Sequence, residues 1–199
     1  MKLNKRSVLT AGAILLIPVA AYAVVTYADN LDVGSQQNAQ LNNDAASVGR
    51  GNQASYDSLS VGRYNKAHGN GMSMGHTNIA HTQSMAIGEQ NSVNYQAAGY
   101  PRNSLAVGNG NTIYGEESFA AGLINDITAD QSTTLGSYLV STADNATIVG
   151  TYNADKAGVL FVVGNGDSTT RQNALEVHDN GDVIVSKPQG DISMGIFGQ

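Results

Sequence analysis

Two histidines and two arginines recur at one fixed interval in this sequence, and they are the first candidates for chemistry. His68 and His81 are thirteen residues apart, and so are Arg50 and Arg63. If that interval is one rung of a stacked β-structure, the members of each pair lie about 5 Å apart. Paired imidazoles could hold a metal ion or respond to pH, and paired guanidiniums could bind a sulfate or carboxylate group. Solvated imidazoles and an arginine edge that prevents aggregation are the simpler interpretations.

A long interval between repeated segments supplies a third candidate. It spans residues 89–107 and contains Tyr95, Tyr100 and Arg102. Aromatic and arginine side chains on a loop that a rigid scaffold holds are typical of a recognition surface. The same segment could instead form a short degenerate coil that ends at Gly99.

No arrangement of residues typical of an enzyme is found. The sequence has no HExxH motif and no glycine-rich loop in the setting of a phosphate site. Glu116 and Glu117 are adjacent, so a strand directs them to opposite faces. Ser168, in Gly-Asp-Ser, lacks the strand–turn–helix setting of a nucleophilic serine. We therefore predict no catalytic residue, no cofactor and no metal site.

Composition limits the partners of the chain. Only 13% of its 199 residues are charged, the net charge is −6, and cysteine is absent. The missing cysteines exclude disulfides and cysteine-ligated zinc. The negative charge argues against nucleic acid or anionic lipid as a partner.

Residues 1–28 have the features of an export signal. Three basic residues among the first six precede an apolar run over residues 8–28. Small residues at the required positions predict cleavage after Ala23 or after Ala28. The run is also long enough to remain as a membrane anchor, which would be the only membrane contact. In both cases the rest of the chain is exported.

The candidate residues belong to a repeat in which glycine follows an apolar residue and asparagine comes three residues later. The glycines are Gly49, Gly62, Gly75, Gly88, Gly108, Gly122, Gly136, Gly150 and Gly164. The asparagines are Asn52, Asn65, Asn78, Asn91, Asn111, Asn125 and Asn153, and Leu139 and Asp167 stand in the remaining two copies. A weaker earlier copy contains Gly34. Such agreement predicts a repeat architecture over residues 29–165.

Each copy predicts two short strands and two turns. Glycine permits the positive φ of a sharp turn, and asparagine suits the next corner and can form an amide ladder with the copies above and below. Thirteen or fourteen residues leave no room for a third strand. We therefore expect an all-β protein, a parallel β-roll or solenoid of about ten coils of 13–14 residues.

The residues before each glycine predict two different strand faces. Large apolar residues stand one and three positions before it, such as Leu59 and Val61, with Ser or Ala between them, such as Ser60. We expect the large residues to fill the interior. The small residues would then lie outside, where another chain can approach closely.

These segments resemble a known family. DSLSVGRYNKA, QSMAIGEQNSV, NSLAVGNGNTI and ESFAAGLINDI are similar to the head repeats of trimeric autotransporter adhesins of the YadA type, over about residues 33–165. The resemblance implies a left-handed roll, a homotrimer, and an exposed head that attaches to extracellular matrix protein or glycan.

Residues 166–199 predict a C-terminal cap and tail. NALEVHDNGDVIV alternates apolar and polar residues around Asp-Asn-Gly-Asp, which indicates a β-hairpin. The stalk and membrane barrel of the adhesin family have no counterpart in the sequence. We therefore expect release, attachment through the N-terminal segment, or attachment through another protein.

Three functional hypotheses remain open. The first is a non-enzymatic, secreted or cell-surface adhesin-like protein. The second is a structural fibre or surface-layer component without a specific ligand. The third, less favoured, is a polysaccharide-acting solenoid enzyme, because the coils are short and no groove of clustered carboxylates is visible.

Overall fold

A computed structural model of the chain describes residues 31–33, 45–93 and 102–186, with the backbone alone for the first range. The first ten strands are β1 (Leu31–Val33), β2 (Ala46–Arg50), β3 (Gln53–Ser55), β4 (Leu59–Arg63), β5 (Lys66–His68), β6 (Met72–His76), β7 (Ile79–Ala80), β8 (Met85–Glu89), β9 (Ser92–Val93) and β10 (Leu105–Asn109). The others are β11 (Thr112–Ile113), β12 (Phe119–Leu123), β13 (Asp126–Ile127), β14 (Thr133–Ser137), β15 (Val140–Ser141), β16 (Thr147–Thr151), β17 (Val159–Asn165), β18 (Asn173–His178) and β19 (Val183–Val185). These residues include no helix.

The strands form two sheets, which we call sheet A and sheet B. Sheet A has the order β1-β2-β4-β6-β8-β10-β12-β14-β16-β17-β18-β19, and sheet B has the order β15-β13-β11-β9-β7-β5-β3. Each coil from β2 to β14 gives a five-residue strand to sheet A and a strand of two or three residues to sheet B, and the coil of β16 gives a strand to sheet A alone. The predicted parallel solenoid is therefore confirmed. The described ranges contain about eight coils, beginning at β2, rather than the predicted ten.

The recurrent glycines form one vertical file. In sheet A, Gly49 pairs with Gly62, Gly62 with Gly75, and so on through Gly164. A Cβ added to Gly62 would lie 2.1 Å from the Gly75 carbonyl oxygen, and φ of Gly62 is +116°. Backbone conformation and close approach to the next coil therefore both require glycine here.

The long interval in the sequence does not add a coil. Strand β8 pairs directly with β10, and β9 pairs directly with β11. The extra residues therefore belong to the connection between Val93 and Ser104. Tyr95, Gly99 and Tyr100, on which the predicted loop or short degenerate coil depends, lie outside the described residues.

The strand faces are reversed relative to the prediction. The Ser/Ala positions of sheet A point inward and are completely buried, as for Ser60, Ala86 and Ala106. The large residues on either side of them, such as Leu59 and Val61, lie on the outer face and are half-buried. The expectation that large apolar residues fill the interior was wrong.

The thinness of the roll explains this reversal. Sheet B contributes Ala80, Val93, Ile113 and Ile127 to the interior, and all four are completely buried. A strand of two or three residues and two tight corners hold the sheets close together, so these side chains fill the gap against a small residue. Large side chains from both sheets would overpack it.

An asparagine ladder fills one corner of the roll. The Asn65 Nδ2 group donates to Asn52 Oδ1 (3.2 Å) and to the carbonyl oxygens of Val61 (2.9 Å) and Gly75 (2.8 Å). The Asn65 Oδ1 atom accepts from Asn78. The same contacts recur up to Asn125, which confirms the predicted amide ladder.

The positive φ at this corner of each coil belongs to the residue before the asparagine, for example Tyr64 (φ 56°), and not to the asparagine itself.

A serine ladder at the opposite corner was not predicted. The Ser104 hydroxyl donates to the Gly115 carbonyl oxygen (2.9 Å) and accepts from the backbone N–H of Ser118 (3.1 Å). Ser118 and Ser132 repeat the pattern. This column, four residues before each glycine, is interrupted by alanine or glycine in other coils, so its regularity is weaker in the sequence.

The predicted C-terminal hairpin closes the array. Strands β18 and β19 are antiparallel and flank the Asp-Asn-Gly-Asp turn, and β17 pairs antiparallel with β18. They extend sheet A beyond the last parallel coil. Beneath them, Leu139, Ile148, Val159 and Val162 form a second buried cluster, which shields the end of the interior from solvent.

Candidate functional site

Apolar side chains line the outer face of sheet A along the roll. Two columns of side chains run along it, three residues and one residue before each glycine. The first column is Ala46, Leu59, Met72, Met85, Leu105, Phe119, Thr133, Thr147 and Phe161, and the second is Val48, Val61, Met74, Ile87, Val107, Ala121, Leu135, Val149 and Val163. All are half-buried except Leu135, which is 41% exposed. We call these two columns the apolar face.

The cap continues the apolar face. The strand register places Leu175 beside Val163 and Val177 beside Phe161. Val183 and Val185 of the last strand follow in the same register, and they are 58% and 47% exposed. A continuous apolar sheet face of this length is typical of an interaction surface, because its exposure to water costs free energy in proportion to its area.

The two predicted arginines lie on a corner of the roll, around Tyr64. Arg50 and Arg63 are register partners, and the next partner in the column is His76. Each guanidinium carbon lies 5.9 Å from the centre of the Tyr64 ring, and the His76 ring lies 6.3 Å from it. Both arginines are exposed, and Tyr64 is 47% exposed. We call Arg50, Arg63, Tyr64 and His76 the Tyr64 corner.

Charge is distributed unevenly along the roll. Residues 45–93 contain three Lys or Arg and two Asp or Glu, which gives +1, and three of the four histidines lie there. Residues 102–186 contain three Lys or Arg and ten Asp or Glu, which gives −7. The Tyr64 corner therefore lies in the part of an acidic chain where an anion meets least repulsion.

The predicted histidine pair is brought together on the outer face of sheet B. The rings of His68 and His81 are 5.6 Å apart, and Tyr56 lies edge-on to His68 at 4.9 Å. The pKa of His81 is lowered by burial and then by the charges of His68 and Lys66. Within the described ranges, no third histidine, cysteine or carboxylate joins the pair to make a metal-ligand group.

Acidification from pH 7.5 to pH 5 is expected to destabilise the roll partly through His81. Since the folded-state pKa of His81 lies below the ordinary 6.5, the unfolded chain binds the proton more tightly. Stability from the neutral imidazole is fully present above pH 6.5 and is lost progressively as the pH falls from 6.5 through the lower pKa of folded His81. Thermal unfolding followed by circular dichroism should show a smaller acid-induced decrease in Tm for His81→Gln than for the wild type. An equal decrease in both proteins would contradict the prediction.

A second aromatic cluster occupies the same corner column farther along the roll, and the sequence analysis missed it. The rings of Tyr138 and Tyr152 stack at 4.4 Å, and Arg171 lies 5.9 Å from the Tyr152 ring. The Arg171 Nη1 group donates to the carbonyl oxygens of Tyr138 (2.7 Å) and Asn153 (3.2 Å). This arginine therefore ties the cap to the roll. The signal that could have revealed this cluster is a tyrosine two residues after the repeat glycine, as at Tyr64.

The remaining predicted binding residue, Arg102, is exposed at the start of a described range. Tyr95 and Tyr100, the other members of that candidate surface, fall outside it. The structure therefore does not test whether the three side chains come together.

A polar cavity of about 240 Å³ lies under the cap, lined by Ala154, Lys156, Asn165, Gln172, Asn173, Glu176 and Ser186. The Glu176 carboxylate accepts from Asn173 Nδ2 (2.7 Å) and lies 2.9 Å from His178 Nε2. Burial opposes its ionisation, but those hydrogen bonds and the charge of Lys156 outweigh burial and lower the pKa of Glu176. The carboxylate is therefore held ionised, and no second carboxylate lines the cavity.

No protein-family model matches the chain, and no curated protein sequence matches it. In the described part of the chain, no helix has the length and apolar character needed to cross a membrane. The predicted export segment lies outside that part.

Proposed function

We propose that this chain is a non-enzymatic, exported, adhesin-like protein that assembles into a homotrimer through the apolar face and presents its corners to the surroundings. The continuous apolar face is the observation that carries the proposal. The left-handed winding and the three-chain assembly come from the resemblance to adhesin head repeats.

The structure of the roll favours self-association. In the coils up to Ile127, the interior is filled by Ser or Ala of sheet A against Ala, Val or Ile of sheet B, so those coils have no space for the large residues outside. Burial of apolar area contributes about 25 cal/mol per Å², and a face that runs across many strands supplies a large area. Three identical rods packed around one axis would bury all three faces in a closed assembly.

A charge on the apolar face should dissociate this assembly. We expect Ile87→Lys combined with Val107→Lys to convert the trimer to a monomer, because three copies would bury six unpaired ammonium groups at the axis. Light scattering after size exclusion would measure the mass, and circular dichroism would check that the β-structure persists. Ser92→Lys, on sheet B in the same coil as Ile87, is the matched control and should remain trimeric. A monomeric wild-type chain at micromolar concentration would contradict the proposal.

The charge difference along the roll favours a second candidate, a fibre or surface-layer component built by end-to-end stacking. Positive coils of one copy would meet negative coils of the next. The same light-scattering measurement separates the two candidates. A closed trimer keeps one mass as the protein concentration increases, whereas a fibre grows without limit and dissociates in high salt.

A further inference from the structure

The Tyr64 corner combines cationic and aromatic groups at a regular spacing. Arg50, Arg63 and His76 are consecutive partners in a parallel ladder, so their Cα atoms follow each other at about 4.8 Å. The backbone N–H of Tyr64 donates to the Arg50 carbonyl oxygen (2.9 Å). The corner backbone is therefore fixed to the preceding coil.

Gly51 leaves room for the tyrosine ring. A Cβ at this position would lie 2.6 Å from Tyr64 Cδ1 and 2.7 Å from Tyr64 Cε1. The absence of a side chain at Gly51 therefore lets the Tyr64 ring contact the preceding coil, with both guanidinium carbons 5.9 Å from its centre.

Among the described residues, the two arginines have no carboxylate partner. Within the described ranges, the one ion pair at this corner joins His76 to Glu89, at 3.5 Å between Nδ1 and Oε1. Two guanidiniums held on neighbouring rungs repel each other, and both prefer bidentate contact with an oxyanion. An anion that bridges them would remove the repulsion and satisfy their N–H groups.

We propose that the Tyr64 corner binds a linear sulfated polysaccharide, with Arg50 and Arg63 on successive anionic groups and Tyr64 against a sugar ring. The rung spacing is comparable to the length of one sugar unit in an extended glycan. A ring that is 47% exposed offers an apolar surface to the C–H groups of a sugar. This inference rests on the proposed exported, adhesin-like function and specifies its ligand.

Binding to immobilised heparin, a sulfated linear glycan, tests the inference on the full chain by biolayer interferometry. We expect Arg50→Gln/Arg63→Gln to bind at least tenfold more weakly. When the logarithm of its binding constant is plotted against the logarithm of the salt concentration, the slope should be shallower by about 0.7 for each arginine removed, as for other single-stranded polyanions. Lys156→Gln/Lys187→Gln removes the same charge elsewhere in the sequence and is the matched control, with near wild-type affinity. Tyr64→Ala should also weaken binding to heparin, because it removes the ring surface that contacts the sugar.

Three results would overturn the inference. These are equal binding by the wild type and the Arg50/Arg63 variant, equal binding of desulfated and sulfated glycan, and equal or tighter binding of single-stranded DNA at matched charge. Light scattering of the same samples keeps this failure separate from failure of the proposed function. A trimer that does not bind heparin contradicts the ligand alone, and a monomer contradicts the assembly.

Discussion

Gly75→Ala is expected to prevent folding of the roll, with a loss of more than about 4 kcal/mol in the free energy of unfolding. A Cβ on Gly75 would lie 2.0 Å from the Gly88 carbonyl oxygen and 3.0 Å from its carbon, and φ of Gly75 is +116°. The clash involves backbone of the next coil, so no side-chain rotation can relieve it. Displacing that coil would break the parallel ladder and the asparagine ladder together.

Circular dichroism during denaturant unfolding would measure the effect of Gly75→Ala. Gly181→Ala is the control, because Gly181 also has positive φ (+90°) but its added Cβ would meet no heavy atom within 4 Å. Gly181→Ala therefore carries only the cost of placing alanine at positive φ, of order 1–3 kcal/mol. Similar stabilities for the two variants would show that close approach between coils is not what requires the glycine file.

Asn78→Ala is expected to cost about 3–5 kcal/mol, the second largest effect. The Asn78 Nδ2 group donates to Asn65 Oδ1 (3.0 Å), the Met74 carbonyl (2.8 Å) and the Gly88 carbonyl (2.7 Å). Its Oδ1 atom accepts from the backbone N–H of Asn91 (3.0 Å) and from Asn91 Nδ2 (3.1 Å). The side chain is completely buried. Alanine would leave several buried polar groups unpaired, each at about 1–3 kcal/mol.

Asn109→Ala provides the comparison for Asn78→Ala. The Asn109 side chain makes one exposed hydrogen bond, to Glu89 Oε2 at 3.2 Å, and its loss should change stability by less than about 0.5 kcal/mol. The difference between the unfolding midpoints of the two variants isolates the ladder. Equal midpoints would mean that the stacked amides contribute no more than a surface contact.

The chain itself shows where the ladder can end. At Leu139 the column changes from asparagine to a completely buried leucine, and the Leu139 backbone N–H still donates to Asn125 Oδ1 (3.0 Å). Leu139 belongs to the second buried cluster, beneath the cap. The unbroken ladder therefore ends at Leu139. In the next coil Asn153 accepts from the Val140 backbone N–H (2.7 Å) and donates to the Val140 carbonyl oxygen (2.9 Å).

The candidate surfaces were only partly predictable. The common interval predicted that Arg50 and Arg63 stack and that His68 and His81 stack, because equal spacing in a parallel array means adjacent rungs. The contact of Tyr64 with both arginines was not predictable, since the ring occupies space that Gly51 leaves in the preceding coil. The strand register determines which residues of neighbouring coils are adjacent. The space that surrounding residues leave determines how those side chains contact each other.

The sequence by itself determined the repeat, its all-β character, the glycine file and the amide ladder. These features meet local requirements, namely positive φ, close backbone approach and buried hydrogen bonding. The same residue types therefore recur at the same positions of successive coils. Only the tertiary structure decided which strand face is interior. Alternation along a strand distinguishes two faces but does not say which one points inward. The short strands of sheet B hold the sheets so close that Ser and Ala lie inside, and the large apolar residues are left outside for a partner.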